Sequence, residues 1–174
     1  MIQFTIPGQP QAKARPRFRI MPPKTDTVVD QLSATKFRTI SEAIRAAVSA
    51  TMKGAFVSTY TDSDTVANEN RIAAIARAAM RGIEPLAAPL EVLIELRMQI
   101  PVSWSKKKQV AASAGQVRAT KKPDIDNVVK SILDASNGIV WIDDAQVVVL
   151  TVRKLYHADP CVMIGVRPVE GETA

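Results

Sequence analysis

The sequence holds a single cysteine, Cys161, and a single histidine, His157, among its 174 residues. One cysteine excludes an internal disulfide and fits a reducing compartment. Cys161 lies in an alternating apolar run, so it is expected to be a buried strand residue rather than a nucleophile. His157 has no companion with which to form a metal site. No uncharged apolar run approaches the length that spans a bilayer. The N-terminus also lacks the basic region, apolar block and small-residue site of a secretion signal. Internal repeats and low-complexity tracts are absent. These absences predict a soluble cytoplasmic protein with no membrane partner. A hydrophobic fraction of 47% against 23% charged residues suits one globular domain of ordinary size.

Acidic residues are missing from two zones, and this matters more than the net charge of +6. Before Asp26 the chain carries Lys13, Arg15, Arg17, Arg19 and Lys24 without one acid. Between Glu95 and Asp124 it carries Arg97, Lys106, Lys107, Lys108, Arg118, Lys121 and Lys122, again without one. The remainder is net acidic, with 11 basic residues against 17 acidic. Charge segregated in this way points to a polyanion-binding surface, the alternative being solvated loops that happen to be basic. Arginine forks suit phosphate oxygens, so Arg15 and Arg17 are candidates for backbone contacts. Lys13, Lys106, Lys107, Lys108, Arg118, Lys121 and Lys122 complete the candidate nucleic-acid-binding set.

In chain order, Ile2 to Ile6 reads as a strand stopped by Pro7-Gly8, followed by a proline-fixed, arginine-rich loop. Thr39 and Glu42 form a capping-box pattern, and Ile40, Ala43, Ile44, Ala47 and Val48 make an amphipathic helix. A second helix is expected from about Thr65 to Arg81, with Ile72, Ile75, Ala76, Ala79 and Met80 inward. Leu90 to Ile100 alternates as a half-buried strand, with Val92, Ile94, Leu96, Met98 and Ile100 on one face. A short basic helix follows Pro101. Trp104 beside it could stack on a base, but packing that helix onto the sheet is the stronger expectation. Gln146 to Tyr156 and Cys161 to Arg167 read as further strands, and residues after Pro168 as a disordered tail. The sum is an α/β (α+β) fold, a mixed sheet of about four strands with packed helices.

The stretch Pro123 to Asp144 carries the chemistry. Asp124 and Asp126 stand two residues apart, with Lys130 one helical turn beyond Asp126. Val128, Val129, Ile132 and Leu133 recur at helical spacing. Asp126 occupies the expected N-cap, and Asn137-Gly138 the expected end. A segment from Ile139 to Ile142 would run back and could return Asp143-Asp144 towards the helix start. Carboxylates without nearby His or Cys suit a hard cation such as Mg²⁺, which keeps several waters and binds substrate phosphate oxygens. Such an ion polarises a phosphoryl oxygen and activates water, and a lysine beside it can hold a phosphate as a point charge. Taken singly, each residue also has a structural explanation: Asp126 as a cap, Lys130 pairing with Asp126 or Asp134, and Asp143-Asp144 shaping a turn.

The order D-x-D-N-x-x-K, an apolar helix, then G-x-x-W-x-D-D-x-Q-V resembles the RusA family of Holliday junction resolvases, common in phages and prophages. The pattern IPGxPxxKxRPR near the N-terminus also resembles the phage branch of that family. The resemblance fades from residue 20 to about 56, so a single RusA-like endonuclease domain over 1–174 is expected, with an insertion there. The resemblance places essential carboxylates at Asp124, Asp126 and Asp144 and an active-site lysine at Lys130. Asp143 matches the neighbouring acidic position and joins the candidate metal ligands. Also implied is a Mg²⁺-dependent endonuclease, with Mn²⁺ able to substitute and no small-molecule cofactor. It would act as a homodimer on branched DNA, hydrolysing paired phosphodiesters of four-way junctions in recombination and repair.

Two other readings compete. A non-catalytic branched-DNA-binding module explains the basic zones and leaves the acids unexplained, since carboxylates facing DNA repel phosphate unless a cation lies between. A DxD sugar-nucleotide transferase would place the motif after an apolar strand, whereas here Lys121-Lys122-Pro123 precedes it.

Overall fold

The computed structural model describes residues 1–14, 17–21, 42 and 56–169. The expected helix around Ile40–Val48, Arg15 and the tail 170–174 lie outside the described residues. The chain divides into two compact units, one of Met1–Ala14 with Ser63–Ala174 and one of Arg15–Asp62.

In the first unit, strand β1 (Ile2–Pro7) opens a four-stranded sheet that also contains β4 (Leu90–Gln99), β5 (Val147–His157) and β6 (Cys161–Pro168). The order is β1-β6-β4-β5. β6 runs antiparallel to both β1 and β4, whereas β4 and β5 are parallel. The sheet is therefore mixed, and with its helices the fold is α+β, as the strand and helix signals predict. Parallel neighbours need a long crossover, and here residues 100–146 supply it, carrying both the basic helix and the acidic stretch.

Alternation along β4 buries Leu90, Val92, Ile94, Leu96 and Met98 on one face. Phe4 and Ile6 of β1 and Val162, Ile164 and Val166 of β6 extend the same apolar face. Two helices cover it: α1 (Ser63–Met80) through Ile72, Ala76 and Met80, and α3 (Ile125–Ser136) through Val128, Val129, Ile132 and Ala135. Between them in sequence, α2 (Lys106–Ser113) closes a smaller cluster of Met98, Ala112 and Tyr156. Trp104 belongs to this cluster, edge-on to Tyr156 with ring centroids 5.1 Å apart. It packs, as expected, rather than standing free to stack on a base. Cys161 is buried on β6.

The second unit contains an antiparallel pair, β2 (Arg17–Met21) with β3 (Phe56–Tyr60), in which Arg17 lies opposite Tyr60 and Met21 opposite Phe56. The arginine-rich loop therefore ends sooner than the prolines suggest. Arg17 and Arg19 sit in a strand whose β-prone partner lies far along the chain.

α3 ends as the Asn137-Gly138 signal predicts, Gly138 taking a φ of 66°. The segment that follows is a turn held by isolated bridges rather than a strand. Trp141, fully buried, pairs in these bridges with Asn137 and Leu86. Its Nε1 donates to Asn137 Oδ1 at 2.7 Å, and Leu86 N donates to Val140 O at 2.9 Å. Truncation of an aromatic core residue costs about 3–5 kcal/mol. Trp141→Ala should therefore lower the unfolding free energy by roughly that amount in urea titrations. A loss below about 1 kcal/mol would show that the turn does not depend on this side chain.

Candidate acidic site at the start of helix α3

The first carboxylate enters the fold at the mouth of α3. Asp124 occupies the N-cap position with an extended backbone (φ −75°, ψ 144°), and its side chain makes no capping hydrogen bond. This corrects the expected cap at Asp126, which instead lies in the first helical turn. The apolar stripe starts later than the helix because Ile125 is 40% exposed and contributes little to the core, so periodicity alone placed the start too late. A carboxylate in the first turn is favoured by the helix dipole. Lys130 follows one turn on, exposed, on the face opposite Val128 and Ile132.

The second acidic pair divides its work. Asp143 caps a short 3-10 turn, Asp144–Gln146, accepting from Ala145 N at 2.8 Å. Its carboxylate serves that turn, which is the structural alternative raised for it above. Asp144 is left half-exposed with its side chain unengaged.

Gln146, the glutamine of the G-x-x-W-x-D-D-x-Q-V motif, anchors this turn. Its Oε1 accepts from Ile142 N (2.9 Å) and Asp143 N (3.0 Å), and its Nε2 donates to Leu86 O (2.9 Å) and Ala88 O (3.0 Å). The Asp-x-x-Gln spacing of a capping box was the available signal.

Asp126, Lys130 and Asp144 line one open hollow, together with Asp134 and the apolar side chains Val129, Leu133, Leu150 and Val152. Asp124 and Asp143 are outside that lining. Among the described residues, the side chains of Asp124, Asp126, Lys130 and Asp144 make no hydrogen bond or ion pair. No three His, Cys, Asp or Glu residues among those described gather closely enough to form a ready-made metal cage. The donor chemistry nonetheless fits a hard divalent cation. The groups are unpaired carboxylates, and such an ion takes only one or two of them beside waters and substrate phosphate.

Asp134 is committed elsewhere. Lys13 Nζ bonds Asp134 Oδ2 at 2.6 Å and Glu69 Oε1 at 2.8 Å, tying α3 to α1. Lys130 therefore does not hold Asp134, and the charge of Lys13 is matched inside the fold. Burial pulls the Lys13 ammonium down, but hydrogen bonds and attraction from Asp134 and Glu69 outweigh it and hold Lys13 above the ordinary lysine range.

Of the other basic candidates, Lys106, Lys107, Arg118, Lys121 and Lys122 are exposed. Lys108 lies with its Nζ 3.9 Å from the Trp104 ring centroid. Arg17 is on β2 in the second unit. His157 Nδ1 accepts from Asp159 N at 3.0 Å in the β5–β6 turn, a local role. No helix among the described residues is long and apolar enough to cross a membrane.

Residues 7–167 match the family model described as endodeoxyribonuclease RusA. The chain is also similar to the uncharacterized protein YqaN of Bacillus subtilis (strain 168), with 41% identity over 86 residues. That alignment spans 48% of this chain and 61% of the relative, so the two are alike over about three fifths of the latter's length.

A raised lysine value implies stability that is complete below the unfolded value of about 10.4 and lost as pH rises through the higher folded value. Lys13→Met should thus lower the urea midpoint by a constant amount between about pH 7 and 9. The gap to the unsubstituted chain should narrow above about pH 10.4. A gap undiminished at about pH 11 would mean that the Lys13 charge is not what holds α1 to α3.

Proposed function

The chain belongs to the endodeoxyribonuclease RusA family, and from that premise we propose that it is a divalent-metal-dependent endonuclease that resolves four-way DNA junctions. The observation that carries this reading is the hollow where Asp126, Lys130 and Asp144 meet without internal partners. Unpaired charges gathered at one place gain little for the fold, and they suit a site completed by a cation and a phosphodiester.

In this proposal Asp124, Asp126 and Asp144 hold Mg²⁺, with Mn²⁺ able to replace it. Asp143 fixes the turn that presents Asp144. When bound, the ion would polarise a phosphoryl oxygen and lower the pKa of an attacking water. Lys130 would place an ammonium against the scissile phosphate and stabilise the charge that builds on its oxygens.

Lys106, Lys107, Arg118, Lys121 and Lys122 are proposed to grip backbone phosphates, with Arg15 and Arg17 as further contacts. Three lysines stand in the first turn of α2 with no acid among them, where the helix dipole disfavours cations by about 0.3–1 kcal/mol each. That unfavourable placement supports a role outside the fold. A non-catalytic DNA binder is the second reading, favoured by the lack of a three-carboxylate cluster among the described residues.

Cleavage of four-way junctions in Mg²⁺ separates the two readings. Asp126→Asn and Asp144→Asn should abolish cutting and leave junction binding intact. Lys130→Ala should slow single-turnover cleavage by about 10²-fold or more. Wild-type rates in the Asp126→Asn variant would remove it from the site, and absence of cutting by the unsubstituted chain would favour the binder.

Two opposed nicks are most simply made by two centres related by a dyad, so we also propose a two-fold homodimer. β5 is the outer strand of its sheet and exposes Val148, Val149 and Leu150, an edge open to further pairing. Light scattering should report about twice the chain mass of 18.9 kDa. A monomer that persists with junction bound would contradict the dimer.

A further inference from the structure

Lys154 is placed where no lysine is needed for the sheet. It lies on β5, half-buried, and its Nζ donates to two main-chain carbonyls, those of Lys121 and of Pro123, the latter at 2.6 Å. Among the described residues it has no carboxylate partner. A half-buried ammonium satisfied by carbonyl dipoles alone recovers less of its lost hydration than one facing a carboxylate. The arrangement is therefore a poor way to stabilise a strand and an effective way to hold a loop.

Apart from Ala119, which packs against the Met98–Ala112–Tyr156 cluster, that loop has little else to hold it. Across residues 119–123 the other described hydrogen bond is the local one from Thr120 N to Arg118 O, 3.1 Å. Thr120, Lys121 and Lys122 are exposed. Asp124 follows one peptide bond after the clamped Pro123 carbonyl and does not anchor itself by capping α3. Its carbonyl accepts from Val128 N at 3.3 Å on the helix side, and on the loop side the neighbouring contact is the one from Lys154.

We propose that Lys154 is a positioning residue that fixes the Lys121–Pro123 loop and through it the placement of Asp124. One side chain would then set both the phosphate-facing lysines and the first carboxylate of the centre. This rests on the nuclease reading above, but the clamp can be tested without it.

The test compares Lys154→Met and Lys154→Arg in the full chain. Amide hydrogen exchange should speed up in residues 119–126 of Lys154→Met, while β4 and α1 keep their protection. The Mg²⁺ concentration for half-maximal junction cleavage, and the Mn²⁺ dissociation constant from calorimetry, should rise by about 10-fold. Lys154→Arg keeps donors for both carbonyls and should return all three readouts towards wild type. Unchanged exchange and metal affinity in Lys154→Met would overturn the proposal. So would exchange raised equally throughout the sheet with no rescue by arginine, since that describes a purely structural lysine. If the unsubstituted chain cuts no junction, the nuclease reading falls, and exchange and Mn²⁺ affinity alone decide on the clamp.

Discussion

The seating of α3 on the sheet is the constraint from which the rest follows. Val128, Val129, Ile132 and Ala135 press into the face built by β1, β4 and β6. A fully buried valine or isoleucine contributes about 1.5–3 kcal/mol, whereas an exposed ion pair contributes less than about 1 kcal/mol. The apolar side therefore decides the position of the helix. Its polar side is free to carry charge that the fold does not compensate.

That freedom is used unevenly. Several charges of the scaffold are paired with opposite charge: Lys13 with Asp134 and Glu69, Arg97 with Glu95, and Arg167 with Glu91. At the start of α3 the pattern reverses, and Asp126, Lys130 and Asp144 share a hollow without such partners. Asp134 lines the same hollow yet is bound by Lys13, so proximity alone does not make a carboxylate available. The two adjacent acids divide in the same manner, Asp143 closing a capping box while Asp144 stays unengaged.

How much of this was legible depended on the range of the interaction. The alternation of β4, the stripe of α1 and the stop at Asn137-Gly138 are local patterns and could be read directly. The acidic order from Asp124 to Asp144 was legible as a motif, because its spacing follows one helix and one turn. The start of α3 was misplaced by two residues, since exposed Ile125 carries no periodic signal. The β2–β3 pair, the partners of Lys13 and the grip of Lys154 on two carbonyls join residues far apart in the chain. Carbonyl acceptors in particular leave no trace in residue identity, so nothing in the sequence distinguishes Lys154 from a solvent-facing lysine.

Natural sequences tend to agree with their own local structure, and departures concentrate where function outweighs the fold. Two departures fall on the crossover between β4 and β5, and a third, on β5, grips it. The first turn of α2 is all lysine against its dipole, the N-cap aspartate of α3 does not cap, and a strand lysine spends its charge on carbonyls. Each would be easily removed by substitution if stability alone mattered: acids in α2, a serine at 124, a threonine at 154. Their concentration on residues 106–154, the segment that also carries Asp126, Lys130 and Asp144, is what the proposed binding role of this segment would require.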